Sequence, residues 1–186
     1  MNKSKQLGAF LFVGMLMGCS SNPEEQVHNH NHEHESGEKT VHSLSEDAGK
    51  LPSGILLTTA PEARRLTEVK PTAKAGEEIT FTGYIGGREE PFTEGRALFL
   101  VADEVAAPQC TDGCPTAWDA CCTPREAIMA NSASVQLVDK EGKVLKLNLN
   151  GADGLIPGSR VTIRGKVETL SESVFVVNAT GIHVAK

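Results

Sequence analysis

The chain has 186 residues, of which 39% are hydrophobic, 23% are charged and only 4% are aromatic. This length suits one ordinary domain with attached segments better than two domains. Eighteen Lys and Arg against 24 Asp and Glu give a net charge of −6, which argues against binding of nucleic acid through its phosphates. No apolar run in the sequence reaches the roughly 20 residues that span a bilayer. We therefore expect a globular domain that carries additional segments.

The N-terminus has the pattern of an export signal. Lys3 and Lys5 precede a short apolar run, which ends in Leu-Met-Gly-Cys at Cys19. This stretch resembles a bacterial lipobox, and the resemblance implies that residues 1–18 are a signal peptide that is removed. It also implies that Cys19 carries a lipid that holds the protein in the cell envelope on the periplasmic side, with Ser20 favouring the outer membrane. That compartment is oxidising, so thiols there tend to be bridged or bound to metal.

Residues 19–76 are expected to form a disordered tether, because polar residues dominate its first part and apolar residues are scattered. Near its start, histidines alternate with polar residues that include Glu33 and Glu35. Neutral imidazole binds Zn²⁺, Cu²⁺ and Ni²⁺, and carboxylates complete the coordination shell. We expect weak, exchangeable metal binding by a set of alternating histidines, His28, His30, His32 and His34. A hydrophilic spacer is the alternative interpretation.

Short strands are predicted throughout the chain from about residue 77. In most of them polar and apolar residues alternate, as in an antiparallel sheet with one solvent-exposed face. Residues 139–143 predict a hairpin turn, and Thr123 followed by Pro124 predicts a helix start with Thr123 as the cap. Strands are expected at residues 78–84, 97–102, 134–138, 144–149, 160–167, 174–177 and 182–184, and a helix is expected at residues 124–129.

The order of these strands resembles an OB-fold. A strand ending in glycine, a hairpin, a Leu-Ile-Pro-Gly turn and two further strands follow one another. The resemblance covers residues 77–186 and implies an all-β fold, a small antiparallel barrel in which Gly83 and Gly165 mark sharp bends. We expect no nucleic-acid ligand, because the chain is acidic and the barrel lacks the aromatic residues on which bases stack.

A cysteine-rich insertion at residues 103–133 interrupts the predicted barrel. Its cysteines follow the pattern C-x3-C-x6-C-C and are Cys110, Cys114, Cys121 and Cys122. Four thiolates bind Zn²⁺ and fewer hold Cu(I), although we expect that the adjacent Cys121 and Cys122 do not easily reach one ion together. The alternative is two disulfides, for which three pairings are available. We expect Trp118 to pack the insertion against the barrel.

Two resemblances concern the insertion. Its stretch Gly-Cys-Pro-Thr-x-Trp-x-x-Cys-Cys is similar to one in bacterial envelope lipoproteins that carry an OB-fold-like domain. The segment from Cys110 to Pro115 also resembles the Cys-x3-Cys-Pro element of copper-delivery proteins. We therefore expect a lipid-anchored envelope protein that binds copper or zinc through the histidine tract and the cysteines. Its expected partners are the membrane and components of metal efflux or metal delivery.

Two other functions stay open at this point. The first is an OB-fold module with a binding or structural role, in which the four cysteines form two disulfides. The second is a thiol oxidoreductase that uses Cys110 and Cys114. An enzyme is not expected, because the sequence contains no recognisable base, acid pair or phosphate-binding loop.

Overall fold

The computed structural model describes residues 49–103, 116, 118–171 and 173–185 of the chain. Within these residues the helices are α1 (Leu66–Val69) and α2 (Arg125–Ala130), with a short 3-10 turn at Ala152–Gly154. No helix in this part of the chain is both long enough and apolar enough to cross a bilayer. The strands are β1 (Arg64–Arg65), β2 (Glu78–Ile85), β3 (Leu98–Ala102), β4 (Ser132–Gln136), β5 (Arg160–Leu170) and β6 (Phe175–Val184).

Strands β2 to β6 close into a barrel. Their order is β2-β3-β4-β6-β5, and β5 returns to β2 through an antiparallel ladder that runs from Glu78↔Lys166 to Tyr84↔Arg160. Strands β4 and β6 run parallel, whereas the other neighbours in the barrel are antiparallel. The predicted all-β, OB-fold-like barrel is therefore confirmed.

Alternation along the strands builds the barrel interior. In β2, Phe81 and Ile85 are fully buried, whereas Thr82 between them is only partly buried. The same period of two residues buries Phe99 and Val101 of β3 in one continuous hydrophobic core. The intervening residues of β2 and β3 face outward, and they include Tyr84 and Leu100.

Glycines permit close contact between neighbouring strands at the predicted bends. Gly165 lies at a shift in the register between β5 and β6. A Cβ atom there would collide with the carbonyl oxygen of Asn178 and would lie 2.8 Å from a methyl carbon of Val177. At Gly83 a Cβ atom would lie 2.6 Å from the carbonyl oxygen of Ala102. Neither position has room for a side chain.

The packed part of the chain begins before residue 77. The sequence placed residues 19–76 in a tether, but Leu51, Leu66 and Val69 are buried in the barrel core. Leu66 and Val69 lie three residues apart in α1, so both side chains face the same way. Strand β1 pairs in parallel with β2 at Phe81 and Thr82, beyond the part of that strand that pairs with β3.

Three local predictions differ from the structure. The segment at residues 144–149 forms only an isolated bridge between Val138 and Val144, because the chain then leaves the ladder to bury Leu149. The last two predicted strands form the single strand β6, since its central residues stay paired with β5. Helix α2 has Pro124 as its N-cap and receives no capping hydrogen bond from a side chain.

Asp103 joins three segments at the end of β3. Its side chain is only 1% exposed, and one carboxylate oxygen accepts a hydrogen bond from Arg65 Nη2 at 2.7 Å. The other oxygen accepts hydrogen bonds from the Thr67 amide at 3.0 Å and from the Thr67 hydroxyl at 2.9 Å. The Asp103 amide donates to the carbonyl oxygen of Asn131 at 2.8 Å. Asp103 thus closes the base of the cysteine insertion and attaches it to β1 and α1.

We expect Gly165→Ala to lower the free energy of unfolding by about 3 kcal/mol, because the opposing atom is a backbone carbonyl that cannot rotate away. Gly95→Ala is the control. Gly95 has a φ of +65° with no atom near the position of a Cβ, so this change costs only about 1 kcal/mol of backbone strain. Urea denaturation measures both values, and equal losses would contradict the steric explanation.

Asp103→Asn is expected to destabilise the protein by about 2 kcal/mol, because an amide nitrogen replaces an acceptor of buried hydrogen bonds. The exposed Glu78→Gln removes a charge without removing a buried partner, and should change stability by less than about 0.5 kcal/mol. Both are measured by urea denaturation. A similar small effect of the two substitutions would show that the Asp103 contacts do not stabilise the fold.

Candidate metal centre

Cys121 and Cys122 are the two predicted cysteine ligands within the described part of the chain. They belong to a turn at residues 118–123, called here the cysteine turn, and both side chains are exposed. The turn leads directly into α2. The remaining predicted sites lie outside the described residues: the ligands Cys110, Cys114, His28, His30, His32 and His34, and the lipidation site Cys19.

Trp118 fixes the cysteine turn to the barrel. Its side chain packs against Tyr84 of β2 and Ala102 of β3, and its Nε1 donates to the carbonyl oxygen of Glu89 at 3.1 Å. The carbonyl oxygen of Trp118 accepts a hydrogen bond from the Gly87 amide at 2.7 Å. These contacts agree with the packing expected for this tryptophan, and they hold the turn next to the end of β2.

Asp119 organises the polar interior of the turn. Its carboxylate accepts hydrogen bonds from the Thr116 hydroxyl and from the Cys121 amide, the latter at 2.8 Å. Burial alone would raise the pKa of Asp119, but the hydrogen bonds from Thr116 and from the Cys121 amide and thiol lower it overall. Ala120 is fully buried and has a φ of +56°, a conformation that L-residues adopt reluctantly. The turn is therefore a specific conformation that its contacts maintain.

The two adjacent sulfur atoms lie 3.7 Å apart. A disulfide would require about 2.05 Å, so the two cysteines are not bonded to each other. Two thiolates that share one tetrahedral ion, each at about 2.3 Å, lie about 3.8 Å from one another. The sulfur separation in this turn is close to that value, and the expectation that adjacent cysteines do not easily reach one ion stays a prediction.

The described residues contribute this pair of sulfurs and no complete metal site. No group of three or more His, Cys, Asp or Glu within the described part of the chain is arranged to hold an ion. His183 lies in β6 opposite Thr162 and belongs to no such group. Chemically, two sulfurs at this distance can both bind one thiophilic ion when they are present as thiolates.

Tyr84 supports the cysteine turn and was missed by the sequence analysis. Its side chain is 7% exposed, and its hydroxyl has no hydrogen-bond partner among the described residues. Burial raises the pKa of Tyr84, and the negative charges of Asp119 and Asp103 raise it further, so the phenol stays neutral. The sequence Tyr-Ile-Gly-Gly at residues 84–87 could have indicated this contact, because paired glycines often mark a close approach of the backbone. A Cβ atom at Gly86 would collide with both the Tyr84 ring and the Trp118 carbonyl oxygen.

No family model matches the chain, and no curated protein or solved structure matches it. A functional proposal for this protein therefore rests on its own side chains and their arrangement.

Proposed function

We propose that this chain is a lipid-anchored protein of the cell envelope that binds copper or zinc through a histidine tract and a cysteine site. The spacing of the sulfurs of Cys121 and Cys122, 3.7 Å apart on a turn held to the barrel, is the observation that carries the proposal. It matches the separation of two thiolates on one ion. Their exposure leaves the bound ion accessible to a second protein.

The two metal-binding segments have different tasks. The alternating histidines at positions 28, 30, 32 and 34 collect ions through borderline imidazole ligands, which release them readily. The cysteine site retains a soft ion more strongly, because thiolate is the softer ligand and the cysteine turn is already ordered. Cys110 and Cys114 supply the further thiolates of a four-coordinate zinc site, whereas two sulfurs suffice for Cu(I).

Lipidation of Cys19 places this metal binding at the membrane surface. A tether between the lipid and the barrel lets the cysteine turn approach membrane-bound components of metal efflux or delivery. The basis is the lipobox-like sequence Leu-Met-Gly-Cys and the polar residues that follow it. Mass spectrometry of the protein from its host membrane tests this arrangement, which requires a diacylated Cys19 at the mature N-terminus.

We expect the purified, reduced protein to retain one tightly bound Cu(I) or Zn²⁺ ion, and the double substitution C121S/C122S to lose it. Thr180→Ser on an exposed position of β6 is the control and should retain the ion. Equilibrium dialysis followed by elemental analysis gives the stoichiometry. Titration of thiols before and after reduction distinguishes a metal site from two disulfides, because cysteines in disulfides react only after reduction.

Replacement of the four tract histidines by asparagine should remove only weakly bound ions and leave the tight ion in place. This weak binding should disappear as the pH falls from about 7 to about 5.5, since imidazole protonates with a pKa near 6.5. Calorimetric titration with Cu²⁺ at several pH values measures the effect. If neither the histidine variant nor the cysteine variant loses metal relative to the intact protein, the proposed function is wrong.

A further inference from the structure

A second concave site lies on the outer face of the barrel, and none of its lining residues is a proposed metal ligand. It is a cleft of about 460 Å³, within the range of pockets that bind small ligands or short chain segments. Its floor is formed by strands β3 and β4, where Leu100 is paired with Ser134. One wall is α2, and the other walls are the chain after β2 and the chain before β6.

The apolar part of this cleft is incompletely covered. Leu100, Ile128 and Met129 line it and are each only partly buried, and α2 contains no fully buried residue. Val174, which lines the opposite side, is 43% exposed. Helix α2 therefore contributes an apolar surface that would be further buried by a bound apolar side chain.

Among the described residues, the charged side chains that line the cleft are Arg88 and Arg125, both arginines. Both are exposed, and within the described part of the chain neither forms a hydrogen bond or an ion pair through its side chain. Glu89 and Glu126 follow them in the sequence but do not line the cleft. Two guanidinium groups with no carboxylate partner among the described residues contribute positive potential at the mouth of the cleft.

A third cation lies next to the cleft. Lys70 is 9% exposed, and its Nζ donates to the carbonyl oxygens of Met129 at 2.7 Å and Ser132 at 2.9 Å. The same Nζ lies 5.6 Å from the centre of the Phe175 ring. Met129, Ser132 and Phe175 all line the cleft. Within the described part of the chain, three basic side chains therefore line or border the cleft.

We propose that this cleft binds an acidic peptide segment of a partner protein. Carboxylates of the segment pair with Arg88 and Arg125, and an apolar side chain between them packs against Leu100, Ile128 and Met129. A peptide fits better than a nucleic acid, because Phe175, the aromatic residue in the described lining, is only 3% exposed and offers little surface on which a base could stack. This proposal does not depend on metal binding.

The test uses the full chain and a fluorescein-labelled hexapeptide of alternating Glu and Leu, with a Gln-and-Leu hexapeptide as the matched control. Fluorescence anisotropy should give about tenfold tighter binding of the Glu peptide, since two exposed charge pairs contribute at most a few-fold each. The preference should weaken as salt is raised from about 50 to 300 mM.

The double substitution R88Q/R125Q should abolish the preference for the Glu peptide. Arg96→Gln, at another exposed arginine that does not line the cleft, should leave it unchanged. Ser134→Asp provides an independent variant, because a carboxylate on the floor should repel the Glu peptide. Unchanged thermal melting of each variant shows that the fold is retained.

Three outcomes would overturn the proposal. They are equal binding of the two peptides, full retention of Glu-peptide binding by R88Q/R125Q, and tighter binding of a single-stranded 12-nucleotide DNA with the same dependence on the arginines. The last outcome would identify the cleft as a nucleic-acid site instead. None of these results depends on whether Cys121 and Cys122 hold an ion.

Discussion

The buried carboxylate of Asp103 is the contact on which the arrangement of this protein depends. It accepts hydrogen bonds from Arg65 and Thr67, and its amide pairs with Asn131 across the base of the cysteine insertion. A buried carboxylate is stable only when its oxygens have such donors. Asp103 directly follows β3, and its contacts join the end of that strand to the segment before the barrel and to the return of the insertion. Both proposed sites are built on these segments.

The insertion connects these two sites through α2. The cysteine turn ends at residue 123, and α2 begins two residues later with Arg125 at the mouth of the cleft. Ile128 and Met129, further along the same helix, contribute to the wall. The cysteine turn is held by Trp118 and Tyr84 on one side, and the helix is followed at once by β4. A short segment thus presents soft sulfur ligands at one end and a cationic, apolar surface at the other.

The barrel could be predicted from the sequence because buried and exposed residues alternate with a period of two along β2, β4 and β5. The short elements could not be predicted. Helix α1 has four residues, and its two buried ones, Leu66 and Val69, do not stand out in a polar segment. The cleft combines residues from distant parts of the chain, so no local motif marks it. The positive φ of Ala120, which precedes Cys121 in the cysteine turn, is not indicated by any sequence pattern.

The pairing of β2 with β5 has a consequence for how the chain folds during synthesis. Glu78 is paired with Lys166, so the ribosome must complete nearly all of the domain before β2 acquires its partner on that side. Until then, β2 and β3 present unsatisfied backbone groups to any neighbouring strand. Contacts between such distant positions form slowly, because a long loop must first be closed. Folding is therefore expected to be a late, nearly all-or-none event, in which β5 and β6 complete a barrel that earlier segments cannot form alone.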